Sequence, residues 1–215
     1  MTSALSEAAT KVLASRERIN HEFSPITDDR AGTLTRRVGG ELESGTIGLH
    51  VPGGTSIDFV DASVYASDKA FMVIVPLSHP ALVAPSALVV AFDRDGIRRS
   101  YAESQFSPLS TESGKVLVWS DGVQVASKIA YNDGTTTELD EQHAITSFEV
   151  LQESWFDRFL DCMSRNGVSS WILSAIAVAC GAVCIATAGL GCTGCIAAVA
   201  GSLGGIIGLC LAESA

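Results

Sequence analysis

The sequence predicts an α+β protein with three parts in chain order. These are a short helix, an antiparallel β-meander domain closed as a small sandwich or barrel, and an all-α apolar helical hairpin. Two observations predict this order. Candidate strands joined by Asp-Gly turns fill the middle of the chain, and residues 166–212 contain no Asp, Glu, Lys, Arg or His. We therefore divide the chain into an N-terminal helix and connector (1–32), a β-rich domain (33–150), and an apolar C-terminal segment (151–215).

The charge of the chain argues against a nucleic-acid partner. Its 215 residues carry a net charge of −10, and residues 1–150 hold 12 Lys and Arg against 20 Asp and Glu. Binding to phosphates needs clustered basic side chains. The longest basic groups are the pairs Arg36-Arg37 and Arg98-Arg99, which we expect to occupy solvated strand positions.

The first 32 residues predict a helix and a polar connector. Apolar residues recur at helical spacing between residues 1 and 20, after a candidate N-cap at Ser3. This pattern differs from a secretory signal, which has a basic start and an unbroken apolar run. Residues 22–32, with Pro25 and Asp28-Asp29, form the expected connector.

The β-rich domain is predicted from short runs of β-branched and apolar residues between turn signals. Gly96, Gly122 and Gly134 each directly follow an Asp in such a turn. The expected strands cover residues 46–51, 57–60, 71–77, 86–92, 97–106, 115–119, 123–131 and 135–139.

No catalytic constellation is visible, so we expect neither an enzyme nor a cofactor or metal. The chain has no Gly-x-Ser-x-Gly and no Gly-Lys-Ser/Thr phosphate loop. The histidines are single and scattered, and we interpret each as a surface or hydrogen-bonded residue: His21, His50, His79 and His143. A Ser/His/Asp grouping assembled in space stays open, because sequence order does not reveal it.

The C-terminal segment predicts three helices. Residues 151–165 are amphipathic, with Leu151, Trp155, Phe159 and Met163 four residues apart. Residues 168–188 and 192–212 are then apolar, with a glycine-containing hinge between them. At about 1.5 Å per residue, each of the two is long enough to cross a bilayer core of about 30 Å. The hairpin can therefore be a membrane insert or a compact bundle.

The cysteines of this segment predict a disulfide framework. No cysteine precedes Cys162, and six occur from there on: Cys162, Cys180, Cys184, Cys192, Cys195 and Cys210. Antiparallel folding about Leu190 would bring Cys210 level with a returning Cys162. We predict that bridge, with the other four cysteines pairing near the hinge. The alternatives are reduced cysteines inside a membrane span and a metal site at Cys192-x-x-Cys195.

The same residues resemble a known family. Cys180-Gly-Ala-Val-Cys184, then Gly-Cys192-Thr-Gly-Cys195 and Gly-Gly-Ile-Ile-Gly-Leu-Cys210, is similar to the C-terminal part of halocin-type (microhalocin-like) bacteriocin precursors. The resemblance covers roughly residues 155–212. It implies that an apolar, Gly- and Cys-rich peptide is released by proteolysis and exported, and that the N-terminal part acts as leader or immunity protein. The chain has fewer cysteines than the best-known member and no twin-arginine signal.

Together these features predict a precursor of a secreted, disulfide-stabilised, membrane-active antimicrobial peptide. The expected partners are target-cell membranes, a processing protease, an exporter and the chain's own N-terminal domain. The alternative is a non-enzymatic integral membrane protein, in which a two-span hairpin anchors a cytosolic β-domain. Arg158 and Arg165 would then mark the inner side of the first span. An enzyme with a membrane tail is a third possibility, for which no site can be assembled.

Overall fold

The computed structural model describes residues 24–139, 165–166 and 168–186, with side chains up to residue 183. These residues form an antiparallel sheet of nine strands and two helices, which confirms the α+β class. The helices are α1 (Asp29–Glu43) and α2 (Ser170–Ala186). The strands are β1 (Ser24–Ile26), β2 (Ser56–Ile57), β3 (Ser63–Ala66), β4 (Ala70–Ser78), β5 (Ala87–Asp93), β6 (Arg98–Pro108), β7 (Ser113–Ser120), β8 (Val123–Tyr131) and β9 (Thr136–Glu138).

The sheet is a meander with a linear strand order. Neighbouring strands follow the order β1-β3-β4-β5-β6-β7-β8-β9, and β2 pairs with the far end of β4. The described strands form one sheet rather than the two of the expected sandwich, and its end strands β1 and β9 do not pair, so these strands do not close into the expected barrel either. A sheet can also bury its faces against helices, and α1 and α2 do this here.

The later strands were predicted correctly, and three of their connections are the expected Asp-Gly turns. The expected strands from residue 71 onward appear as β4 to β9, with ends shifted by one or two residues. Gly96, Gly122 and Gly134 have φ values of 78°, 81° and 86°, a left-handed conformation that glycine adopts without steric cost. Each one closes a hairpin between two consecutive strands.

Two of the expected early strands are wrong or too long. Residues 46–51 form no strand and instead connect α1 to the sheet, and Ile47 within this connection is buried in the core. Of the expected strand at 57–60, only Ile57 lies in a strand, as the last residue of β2. Asp58 accepts hydrogen bonds from the backbone N–H groups of Val60 and Asp61, which turns the chain away from β4.

Strand β1 and helix α1 were not expected, and together they occupy most of the connector predicted at residues 22–32. Asp28 is the N-cap of α1 and accepts hydrogen bonds from the backbone N–H groups of Arg30 and Ala31. Ala31, Leu34 and Val38 recur at helical spacing and are buried. Arg36-Arg37 therefore lies on a helix rather than on a strand, whereas Arg98-Arg99 does lie in β6.

The two helices cover opposite faces and opposite halves of the sheet. The buried side of α1 belongs to a core with Phe71, Val73 and Leu88 of β4 and β5. Helix α2 packs against β6, β7 and β8. Its core includes Ala102 and Val118, which alternate with Glu103 and Trp119 on the α1 side.

Helix α2 confirms a helix within the first expected apolar segment. The expected helices at 1–20 and 151–165, the hinge at 189–191 and the second apolar segment lie outside the described residues, apart from Arg165. Within the described part of the chain, no helix is both long enough and apolar enough to cross a membrane.

Candidate functional site: an apolar helix seat on the sheet

One face of β6, β7 and β8 forms a shallow apolar seat for α2. Ser104 of β6 lies opposite Val118, which lies opposite Ala126 of β8. Directly opposed residues of antiparallel strands project to the same face. The apolar side chains that share this face and pack with α2 are Ala102, Phe106, Val116, Val118, Ala126 and Ala130. We call these six residues the helix seat.

Helix α2 meets the helix seat with a narrow stripe along one side. Trp171, Ala175, Ala179 and Val183 are spaced by four residues and are at most 2% exposed. Residues four apart on a helix lie above one another. The small alanines in the middle of the stripe allow the helix axis to approach the sheet closely, while Trp171 and Val183 fill the ends.

A glycine in β7 makes room for the tryptophan. Gly114 has no side chain, and a Cβ built at this position would overlap the ring carbons Cζ3, Cε3 and Cη2 of Trp171. The tryptophan is 1% exposed. The Gly114–Trp171 contact therefore fixes where α2 begins on the sheet, because no larger residue fits beneath the ring.

Two hydrogen bonds tie the start of α2 to the β8–β9 turn. The backbone N–H of Trp171 donates to Oδ1 of Asn132 at 2.8 Å, and Oγ of Ser174 donates to the carbonyl of Tyr131 at 3.1 Å. The first N–H groups of a helix have no partner within the helix. Asn132 thus supplies, from the sheet, an acceptor that the helix itself lacks.

The turn that carries Asn132 is held by Asp133. Its Oδ1 accepts hydrogen bonds from Oγ1 of Thr135 at 2.7 Å and from the backbone N–H of Thr135 at 2.9 Å. The side-chain hydrogen bond from Thr135, followed by the backbone one, lowers the pKa of Asp133 below its ordinary value of 3.8. The carboxylate form of Asp133 is therefore the one that stabilises this turn.

The structure describes only part of the expected disulfide set. Cys180 lies on α2, half-buried against the core of the helix seat, and is disulfide-bonded. Cys184 lies in the α2 backbone, but its side chain is not described. The remaining four cysteines lie outside the described residues, as does the expected Cys162–Cys210 bridge. In the part of the chain that the structure covers, no group of three or more metal-ligating side chains converges.

A second polar cluster lies on the opposite face of β6 and β7. Glu103 has a fully buried side chain, and its Oε2 accepts hydrogen bonds from the backbone N–H of His50 at 2.9 Å and from Nδ1 of His50 at 3.3 Å. Gln105 donates to the other carboxylate oxygen. The His50 ring stacks on Trp119, with centroids 4.8 Å apart and planes 2° apart.

This cluster fastens the connector between α1 and β2 to the sheet. His50 and Glu103 are 53 positions apart, so neither residue alone signalled the contact. A histidine whose Nδ1 is held by a buried carboxylate is the arrangement of a general base. The described hydrogen bonds of the His50 ring reach only Glu103, and no hydroxyl or thiol nucleophile is among them. The described contacts of His50 and Glu103 thus join the connector to the sheet.

Comparisons with known proteins do not extend this picture. No protein-family model, no curated protein and no solved structure matches the chain.

Proposed function

We propose that this chain is the precursor of a secreted, disulfide-stabilised, membrane-active antimicrobial peptide that proteolysis releases from its C-terminus. In this proposal the β-rich domain holds the apolar tail before release. It keeps the tail dispersed in water, and it can protect the producer if it rebinds the released peptide. A protease releases the peptide and an exporter carries it out of the cell, after which it acts on the lipid membrane of target cells.

The observation that carries the proposal is the docking of a charge-free helix on the helix seat. Helix α2 has no acidic residue in its first turn and no basic residue in its last, and no charged residue between them. Its stripe from Trp171 to Val183 is buried against the sheet. Burying one large apolar side chain stabilises the docked state by about 1.5–3 kcal/mol relative to leaving it exposed to water. Undocked in water, the helix would present this surface to solvent or to other copies.

The same helix is suited to exchange the sheet for lipid. A helix satisfies its own backbone hydrogen bonds, as a bilayer interior requires. The hydrogen bonds that Asn132 and Ser174 make between α2 and the sheet both lie at the start of the helix. The stripe from Trp171 to Val183 is apolar, and hydrocarbon offers an apolar surface in place of the sheet.

The sequence supports two further parts of the proposal, which are the proteolytic release of the C-terminal peptide and a second apolar helix after α2. Residues 192–212 are also charge-free, and we propose that they form the second helix of an apolar hairpin with α2. The resemblance to halocin-type precursors supports release of a C-terminal peptide. The disulfide at Cys180 suits an oxidising location outside the cytosol.

Mass spectrometry of the medium from producing cells tests the release. We expect a C-terminal fragment that begins near Trp155 and carries all six cysteines as three disulfides. The purified fragment should depolarise susceptible cells. The fragment after reduction and alkylation is the control, because it has the same sequence without cross-links.

The alternative function, an integral membrane anchor, predicts the opposite result in the same experiment. A two-span anchor would require α2 to leave the helix seat permanently and enter the bilayer of the producer. In that case only intact chain would be found, in the membrane fraction, and its cysteines would be reduced and closed to a membrane-impermeant thiol reagent. That outcome would remove the antimicrobial proposal.

A further inference from the structure

Strands β4 and β5 carry a second buried apolar patch on the face that α2 occupies. Met72, Ile74, Ala87 and Val89 are 2%, 5%, 3% and 8% exposed. Val89 lies opposite Ala102, which belongs to the helix seat, and Ile74 lies opposite Val89. Directly opposed residues share a face, so this β4–β5 patch continues the helix seat across the sheet.

Neither described helix packs over the β4–β5 patch. Helix α1 lies on the opposite face, and α2 contacts β6, β7 and β8. Among the described apolar side chains, Tyr65 of β3 packs against the patch from its side. Met72 and Ile74 are large apolar side chains whose low exposure means that protein atoms cover them.

The path of α2 directs the following chain towards this patch. The helix begins over Gly114 and Asn132 and packs on Val118 and Ala126 as well, so it runs along β7 towards Ser120. Ser120 lies opposite Ala102. Residues after Ala186 therefore continue from the end of the sheet at which β6 begins and β5 ends.

The dimensions suit one more helix beside α2. Helices pack about 8–10 Å apart, and strands lie about 4.7–4.9 Å apart, so a neighbour of α2 lies about two strands away, over β5 and its partners. A 21-residue helix is about 31 Å long, and the nine residues of β4 span about 30 Å. Residues 192–212 provide that length after the Gly189-Leu190-Gly191 hinge.

We propose that residues 192–212 dock on the β4–β5 patch, antiparallel to α2, and complete a two-helix layer on one face of the sheet. The segment is charge-free, and its glycines permit close approach to a surface that contains Ala87. This inference rests on the proposed holding role and deepens it. The sheet then holds both halves of the apolar tail, and release must strip two helices from one continuous surface.

Methyl NMR on the intact chain tests the docking without any substitution. The protein has three methionines, Met1, Met72 and Met163, so the Met72 methyl group is easily assigned. With labelled Met, Ile, Leu and Val methyls, we expect nuclear Overhauser contacts from Met72 and Ile74 to methyls between residues 192 and 212. Contacts between Met72 and the Tyr65 ring serve as the positive control, because these residues pack together in the structure.

Three results would overturn the inference. They are contacts to residues 1–23 or 140–164 instead, contacts that appear only between differently labelled chains, and the absence of contacts to 192–212 while the Tyr65 control is present. The second result would assign the patch to another copy of the chain. Failure here is distinguishable from failure of the proposed function, which is judged by release of the fragment into the medium.

Discussion

The two helices of this protein are attached to its sheet in different ways. Helix α1 buries three apolar residues, and charged side chains of the same helix also contact the sheet and its turns. Nε of Arg98 on β6 pairs with Glu41 at 2.6 Å, and Nη1 of Arg37 donates to the carbonyl of Gly96 at 2.7 Å. Arg30 also lies over the ring of Phe71, 5.2 Å from its centroid. Helix α2 has an apolar stripe and two neutral hydrogen bonds at one end.

Under the proposed function, α1 is a permanent part of the domain and α2 is the element that moves to a membrane. Charged contacts such as Arg98–Glu41 cannot be reproduced in hydrocarbon, because burying unpaired charge is costly. The apolar contacts of α2 can be reproduced there. The comparison therefore predicts that α1 unfolds only with the domain, whereas α2 can leave a sheet that stays folded.

The largest expected effect comes from the Gly114–Trp171 contact. Trp171→Ala should weaken the docking of α2 by about 3–5 kcal/mol, the usual cost of truncating a buried tryptophan. Gly114→Ala should have an effect of similar size, because its methyl group occupies the space of the ring. Hydrogen exchange followed by mass spectrometry should show α2 exchanging faster, while β4 to β6 stay protected.

A double-mutant cycle sharpens this result. In Gly114→Ala/Trp171→Ala the new methyl group fills part of the vacated space, so the double variant should lose less than the sum of the single losses. Gly53→Ala is the matched control, since a Cβ there meets nothing within 4 Å. Simple additivity would mean that the two residues are not in contact.

The corresponding change in α1 should act on the whole domain. Leu34 is 4% exposed in the α1 core, and Leu34→Ala should lower the free energy of unfolding by about 2–5 kcal/mol. Chemical denaturation should show one lowered transition, and exchange should rise in β3 to β5 as well as in α1. If only α1 loosened while β3 to β5 stayed protected, the contrast between the helices would fail.

Loss of the sheet-borne acceptor should have a smaller effect on α2. Asn132→Ala leaves the N–H of Trp171 without its acceptor, and we expect a loss of about 1 kcal/mol, as for a removed helix cap. Asn132→Asp keeps an oxygen acceptor at the positive end of the helix dipole and should preserve docking. Exchange rates at the first turn of α2 measure both, and equal loss in the two variants would contradict the role of Asn132.

The smallest expected effect is a dependence on acid through Asp133. Its pKa is lowered in the folded chain by the hydrogen bonds from Thr135, so its contribution to stability is present above the unfolded value of 3.8 and is lost as pH falls through the folded pKa. Docking of α2 should therefore be constant from about pH 7 to pH 5 and weaken only in stronger acid. Asp133→Asn should reduce this acid dependence, and a variant that matches the wild-type profile would exclude Asp133 as its source.

The sequence was most informative where local chemistry decides the structure. Glycines after Asp mark left-handed turn positions, so the β5–β6, β7–β8 and β8–β9 hairpins could be predicted from their turns. Helix α1 could not, because Gly32, Gly39 and Gly40 lower its helix propensity, and only packing of Leu34 and Val38 on a sheet compensates.

The helix seat was hidden because its contacts are distant in sequence. A glycine such as Gly114 weakens a strand, and the reason for it here is the ring of Trp171, 57 positions later, which occupies the space of a side chain. His50 and Glu103 were missed for the same reason. The charge-free segment predicted an apolar environment for α2 and the N-terminal domain as one partner, but it did not predict which strands would contact the helix.

The most direct test of the account is flotation of the intact chain with neutral phosphatidylcholine vesicles. We expect the wild type and Gly53→Ala to stay in the aqueous fraction, because the helix seat holds α2, and Gly114→Ala to float with the vesicles, because its α2 is displaced. Equal flotation of all three proteins would mean that the sheet does not keep the apolar helix from the membrane, and it would contradict the central claim.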